Sequence, residues 1–174
     1  MKNSRRPLQV FLTLICVSIA VFWVWALFFP PSTQSVAAVD DVAWTVRANA
    51  ICQKANVQRD SLADLRRINT SGPNALAERA DIIDKATTII QNMLNDVTSQ
   101  SLTSPEDQRL VNTWKAIFQD WIDGRITYTV VLRTGKNAPF AESMVDGSPV
   151  SAQIDYFAQE NRMDSCASPK DLAA

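Results

Sequence analysis

Residues 104–133, SPEDQRLVNTWKAIFQDWIDGRITYTVVLR, decide the fold of this chain, because one long apolar stripe runs through them at helical spacing. Ser104, Pro105, Glu106 and Asp107 open the stretch as a helix start. A hydroxyl can cap the first amides, a proline loses nothing in the first turn, and two acids face the positive end of the helix. Leu110, Trp114, Ile117, Trp121, Tyr128 and Leu132 then fall on one side, widened by Phe118, Ile122 and Ile126. Gly124 and the β-branched run at 126–131 would also suit a strand. No partner strand is evident, so the segment is read as helix to about Arg133. Such an aromatic helix belongs in the middle of a core.

The segments on either side repeat the pattern. Leu76, Ala80, Ile83, Thr87, Ile90, Leu94 and Val97 keep heptad spacing, and Ile82, Ile89 and Met93 widen that stripe beyond a two-stranded seam, as a globular bundle requires. Before it, Trp44, Ala48, Ile51, Ala55, Leu62 and Leu65 predict a first helix capped by Asp40 or Asp41. The turn Asn69-Thr70-Ser71-Gly72-Pro73 closes that helix and places Pro73 in the first turn of the next. After the aromatic helix, residues 134–149 are rich in Gly, Pro, Asn and Asp and are read as a loop. Ser148-Pro149 then restarts a short helix with Val150, Ile154, Phe157 and Ala158 on one face, running to Met163 or Cys166. Four amphipathic helices with short or medium loops predict an all-α, antiparallel up-down-up-down bundle over residues 40–167, followed by a C-terminal tail, 168–174.

Ahead of the bundle lies LQVFLTLICVSIAVFWVWALFF, residues 8–29, without a charged residue. At about 1.5 Å per residue its length matches a hydrocarbon core of about 30 Å, which predicts a single transmembrane helix. Lys2, Arg5 and Arg6 in the segment 1–7 keep the N-terminus in the cytoplasm. Trp23, Trp25, Phe28 and Phe29 suit the outer interface, so the bundle is expected outside the cytoplasm, at the cell membrane, on a tether at 30–39. The rival reading is a secreted protein cleaved near Ala38, where Ser35-Val36-Ala37 and Val36-Ala37-Ala38 are small-x-small. The apolar run is longer than a signal peptide's usual core, which favours an uncleaved anchor. Cys16 lacks the preceding small residues of a lipid attachment site.

Charge and composition narrow the function. Setting Lys2, Arg5 and Arg6 aside leaves 14 of the 17 basic residues against 18 acidic ones, so the bundle is mildly acidic and nucleic acid is not an expected partner. Cys52 and Cys166 are the two cysteines of the exported part, and an even count in an oxidising compartment predicts one disulfide. In an up-down-up-down bundle the start of the first helix and the end of the fourth meet at one end, near both cysteines. The chain has no histidine, only four glycines, and no phosphate loop, nucleophile elbow or zinc signature; no catalytic residue, metal or cofactor is expected. A Ser-Lys dyad would need no histidine, but nothing singles out one serine. The helical pairs Asp60 and Asp64, Asp81 and Asp84, and Asp120 and Asp123 sit among basic residues and are read as solvated faces. Arg66-Arg67 is read as favourable charge at a helix C-terminus.

The segment ANAICQKAN, residues 48–56, with the later Cys166, resembles exported or membrane-anchored helical proteins of actinobacteria to which no activity is attached. The resemblance implies an envelope location and transfers no catalytic residue. The expectation is therefore an anchored extracytoplasmic helical module for envelope interaction or scaffolding, held by the lipid bilayer through residues 8–29 and meeting an envelope protein. The alternative is a sensor-like, ligand-binding module with an aromatic pocket around Trp114, Phe118 and Trp121.

Overall fold

The computed structural model describes residues 11, 13–19, 21, 23, 38–62 and 72–172, and the chain divides into two compact units, Met1–Val36 and Ala37–Ala174. In the first unit the described residues are helical and exposed. Ser18 Oγ donates back to the carbonyls of Leu14 and Ile15 at 2.8 and 3.0 Å. Most of the stretch 8–29 and its flanks, including the tether as far as residue 37, lies outside the described residues. Among those described, no helix is long and apolar enough to cross a membrane.

The second unit is a helical bundle. Helix α1, Val42–Asp60, starts where Asp41 accepts the Trp44 amide at 2.9 Å, and it buries Trp44, Ala48, Cys52 and Ala55. It ends at Asp60, earlier than the apolar spacing predicted. The Ser61 hydroxyl turns back to the Gln58 carbonyl at 2.6 Å and the Leu62 amide to the Arg59 carbonyl at 2.9 Å, tightening the last turn. Leu65 and Arg66-Arg67 lie outside the described residues. Helix α2, Ala75–Thr98, begins two residues after Pro73, which sits in the preceding turn rather than inside the helix. Its buried row includes Ala80, Ile83, Thr87, Ile90, Leu94 and Val97, the heptad set.

Helix α3, Pro105–Arg133, is capped by Ser104, whose hydroxyl accepts the Asp107 amide at 3.3 Å, and it continues unbroken through the β-branched run. Thr127 and Thr129 send their hydroxyls back to the carbonyls of Asp123 and Ile126, so these side chains bond within the helix instead of competing with it. Burial of Thr129 and Leu132 against neighbouring helices then outweighs local strand preference.

The loop after α3 contains an element that was not expected. Strands β1, Met144–Val145, and β2, Ser148–Pro149, pair antiparallel with Met144 opposite Pro149 and Val145 opposite Ser148. Asp146 and Gly147 form the two-residue turn at φ 51 and 79, the left-handed pair that Asp-Gly adopts most easily. Helix α4, Val150–Glu160, follows directly, and Pro149 precedes it rather than belonging to it. It stops short of the expected Met163 or Cys166. Arg162 reverses the chain at φ 54, and Cys166 sits on a separate 3-10 turn, Asp164–Cys166.

Helices adjacent in sequence pack together, and their bonds run in opposite senses. Between α2 and α3, Arg133 meets Asp81 and Asp84, Arg125 meets Thr87, and Gln119 meets Gln91. Arg47 near the start of α1 reaches Gln100 just past α2 at 2.9 Å. Trp114 stacks on Phe157 with ring centroids 5.3 Å apart, while Trp121 and Ser151 border one cavity further along the same two helices. The main core gathers Trp44, Ile90, Leu94, Trp114, Phe118, Ile122 and Ile154. A smaller cluster at the other end joins Ala80, Ile83, Leu132 and Leu172.

Leu172 reveals the role of the chain after α4. Residues 161–172 wrap the bundle as a strap: Ser165 bonds Asn49 and Asn56 on α1, Ser168 and Lys170 bond Asp155 on α4, and Asp171 bonds Arg125 on α3. Residues 168–172, expected as part of a tail, are thus packed against the helices.

Candidate functional site

Three sites stand out on the bundle: a disulfide, a buried ion pair and an open groove. Cys52 and Cys166 are bonded with Cα atoms 5.1 Å apart across 114 residues of sequence, and both are fully buried. The bond joins the middle of α1 to the strap. The very end of the bundle is closed instead by Asn161, which accepts the Val39 amide at 2.7 Å, and by Asp107, which accepts the amides of Asp40 and Asp41.

Arg125 projects from the apolar side of α3 and is completely buried. Its Nη1 and Nη2 donate to the two oxygens of Asp171 at 2.9 and 2.8 Å, its Nε donates to Thr87 Oγ1 at 3.0 Å, and its guanidinium lies 4.8 Å from the centroid of the Trp121 ring. Three of its five N–H donors are engaged by these two partners. The pair therefore holds the strap to α3.

The groove lies between the first half of α3 and α4. It has a volume of about 450 Å³, within the range of small-molecule sites, and its wall is mostly apolar: Leu110, Trp114, Ile117, Ala152, Tyr156 and Phe157. Thr113, Gln153, Arg109, Asp146 and Ser148 add polar groups, the last two from the hairpin turn and β2. Helical spacing explains the wall. Leu110, Trp114 and Ile117 recur at steps of four and three, and on the facing helix Ala152 and Tyr156 are four apart with Phe157 beside them, so two apolar stripes meet with a gap between them. Arg109 bonds Glu106 on the same helix. That bond holds the Glu106 carboxyl below its ordinary value and raises the Arg109 guanidinium, so both stay charged at neutral pH.

The structure separates the three aromatic residues expected to form one pocket. Trp114 is 2 % exposed and forms part of the groove wall, Phe118 is fully buried in the core, and Trp121 lies beside Arg125 and borders a different cavity of about 230 Å³ with Phe140 and Lys170. They form a continuous edge-to-face row, with centroids 5.3 Å apart for Trp114 and Phe118 and 5.8 Å for Phe118 and Trp121. Their shared task is packing. The indole N–H of Trp114 is buried and meets no acceptor among the described residues, so Trp114 offers the groove apolar surface rather than a polar handle.

The acidic pairs are occupied by neighbours. Asp81 and Asp84 both bond Arg133, Asp120 accepts the Ser143 hydroxyl, and Asp123 accepts from Gln119. Asp60 pairs with Arg59, and Asp64 lies outside the described residues. Among the described residues no three potential metal ligands cluster. Leu110 and Ile117 carried a core assignment in the sequence and are only partly buried, and no local signal distinguishes a half-covered apolar residue from a buried one. Arg125 did carry a signal, as a lone cation on the apolar side of α3. No family model, curated protein or solved structure matches the chain.

Proposed function

We propose that this protein is a membrane-anchored extracytoplasmic interaction module that docks an apolar segment of another envelope protein in the α3–α4 groove. The observation that carries the reading is the groove itself: about 450 Å³, walled by two apolar helical stripes, with polar groups at Arg109, Asp146 and Gln153 to orient an occupant. The apolar stretch 8–29 with basic residues before it supports anchoring, and the resemblance of ANAICQKAN to envelope proteins of actinobacteria supports the location. In the anchored reading the bundle lies outside the cytoplasm, so recognition takes place there. The groove's wall is mostly apolar, which favours binding over catalysis.

Two measurements test it. Alkaline phosphatase fused after Ala174 should be active, whereas fluorescence from a reporter that folds only in the cytoplasm would overturn the topology; mature protein starting near Ala38 in the medium would establish the secreted form. A photo-crosslinker at Ala152 should capture one envelope protein in cells, and Ile117→Glu should abolish capture. The second reading, a small apolar ligand, rests on Trp114 forming part of the wall. It requires a saturable change in tryptophan fluorescence with apolar cell-wall or lipid fragments, lost on Trp114→Phe.

A further inference from the structure

The strap does not lie flat on the bundle between the points that hold it. Ser168 and Lys170 are tied to Asp155 of α4, and Asp171 is tied to Arg125 of α3. Residues 168–170 and Leu172 wall the cavity of about 230 Å³ that Trp121 borders, so the strap bridges this space instead of filling it. Phe140 and Glu142, from the loop after α3, and Ser151, at the start of α4, complete the wall. The Trp121 and Phe140 rings meet edge to face, with centroids 6.4 Å apart and planes at 87°, and make an aromatic corner. Glu142 is held there by the start of α4. Pro149 brings no side-chain acceptor to that end of the helix, and Glu142 Oε2 accepts the Ser151 amide at 2.8 Å in its place.

Charge around the cavity leaves one group over. Lys170 is paired with Asp155 at 2.7 Å, and Arg125, against the Trp121 ring, is paired with Asp171 at 2.8 Å. Glu142 meets no cation among the described residues, although Lys170 lines the same cavity. Its Oε1 accepts no hydrogen bond, and the Ser151 hydroxyl beside it has no partner either. A half-buried carboxylate is stabilised by a cation that also donates hydrogen bonds, and the wall supplies none.

We infer that this cavity binds a small aromatic primary amine, with the ring in the corner of Trp121 and Phe140 and the ammonium donating to Glu142 Oε1 and the Ser151 hydroxyl. Size selects a small molecule. A cavity of about 150 Å³ holds benzene, so this one holds a single ring with a short arm and excludes a folded protein segment. Charge selects the amine, because the excess carboxylate and the neighbouring aromatic rings both favour a cation. The site shares no lining residue with the α3–α4 groove, so it stands or falls independently of what the groove binds.

Calorimetric titration of phenethylamine into the full chain, held in a zwitterionic detergent, tests the assignment. Saturable binding with a Kd below about 1 mM is expected, and its absence overturns the site. Glu142→Gln keeps an acceptor for the Ser151 amide, so its thermal midpoint should match the parent's while binding weakens at least about tenfold. A folded Glu142→Gln chain that binds as the parent does would place the amine elsewhere and overturn the site. Lys170→Gln should tighten binding, since a cation leaves the wall; weakening would mean that the cavity takes an anion, against the assignment. Butylamine, which mimics a lysine side chain, should bind at least about tenfold more weakly than phenethylamine, and equal binding would refute the aromatic ligand.

Discussion

The strap is held at two buried points that work by different physics. At one, Cys52 and Cys166 join α1 to the strap covalently; at the other, Arg125 of α3 grips Asp171 through two hydrogen bonds. The disulfide acts largely on the unfolded chain, by removing the freedom of a 114-residue loop, and asks little of its surroundings. The ion pair acts in the folded state alone. A cation with no exposed surface has lost its hydration, and Asp171, its side chain 29 % exposed, supplies the compensating charge. Each is stable only as a pair, but only the ionic one becomes a liability when half of it is removed.

Breaking the covalent clamp should have the largest effect. Replacing both cysteines by alanine is expected to cost about 4 kcal/mol, read as a lower urea midpoint, with the helical circular dichroism of the folded state retained. Asp171→Ala should follow at about 3 kcal/mol, because it strands a buried guanidinium. Replacing the pair together, with Arg125→Met and Asp171→Leu, should cost much less than the two single changes added, and additive costs would show that the residues do not act as a unit. Asn161→Ala comes next, at about 2 kcal/mol, since the buried Val39 amide loses its acceptor. Hydrogen exchange at Val39 should speed up in that variant.

The smallest effect belongs to the partly exposed contact between the two clamps. Burial pushes the Asp155 carboxyl up, but Lys170 and the hydroxyl and amide of Ser168 together hold it below its ordinary value of 3.8. A carboxyl lowered in the folded state contributes stability that is complete above its unfolded value and fades as pH falls through the folded one. Asp155→Asn should therefore cost less than about 1 kcal/mol at neutral pH, and the difference from the parent should fade as the pH falls from 3.8 through the lower folded value. An equal difference at all pH values would mean that packing, not charge, makes the contact.

Sequence alone determined what depends on neighbours along the chain. The caps at Asp41 and Ser104, the heptad row of α2 and the extent of α3 were legible because each follows from spacing and from side chains within one or two turns. The disulfide was legible from the even cysteine count together with the expectation of an oxidising compartment. The hairpin at Asp146-Gly147 had a readable signature in its turn, but strands of two residues are too short to show an alternating pattern. What only the tertiary structure decided depends on surfaces brought together from far apart in the chain. Arg125 meets its carboxylate 46 residues away, residues 168–172 become a strap, Trp114 and Trp121 part into different cavities, and the valines of α1 stay uncovered. Helical periodicity says which residues share a side of a helix; the packing of the other elements determines whether that side is filled, half-covered or bare.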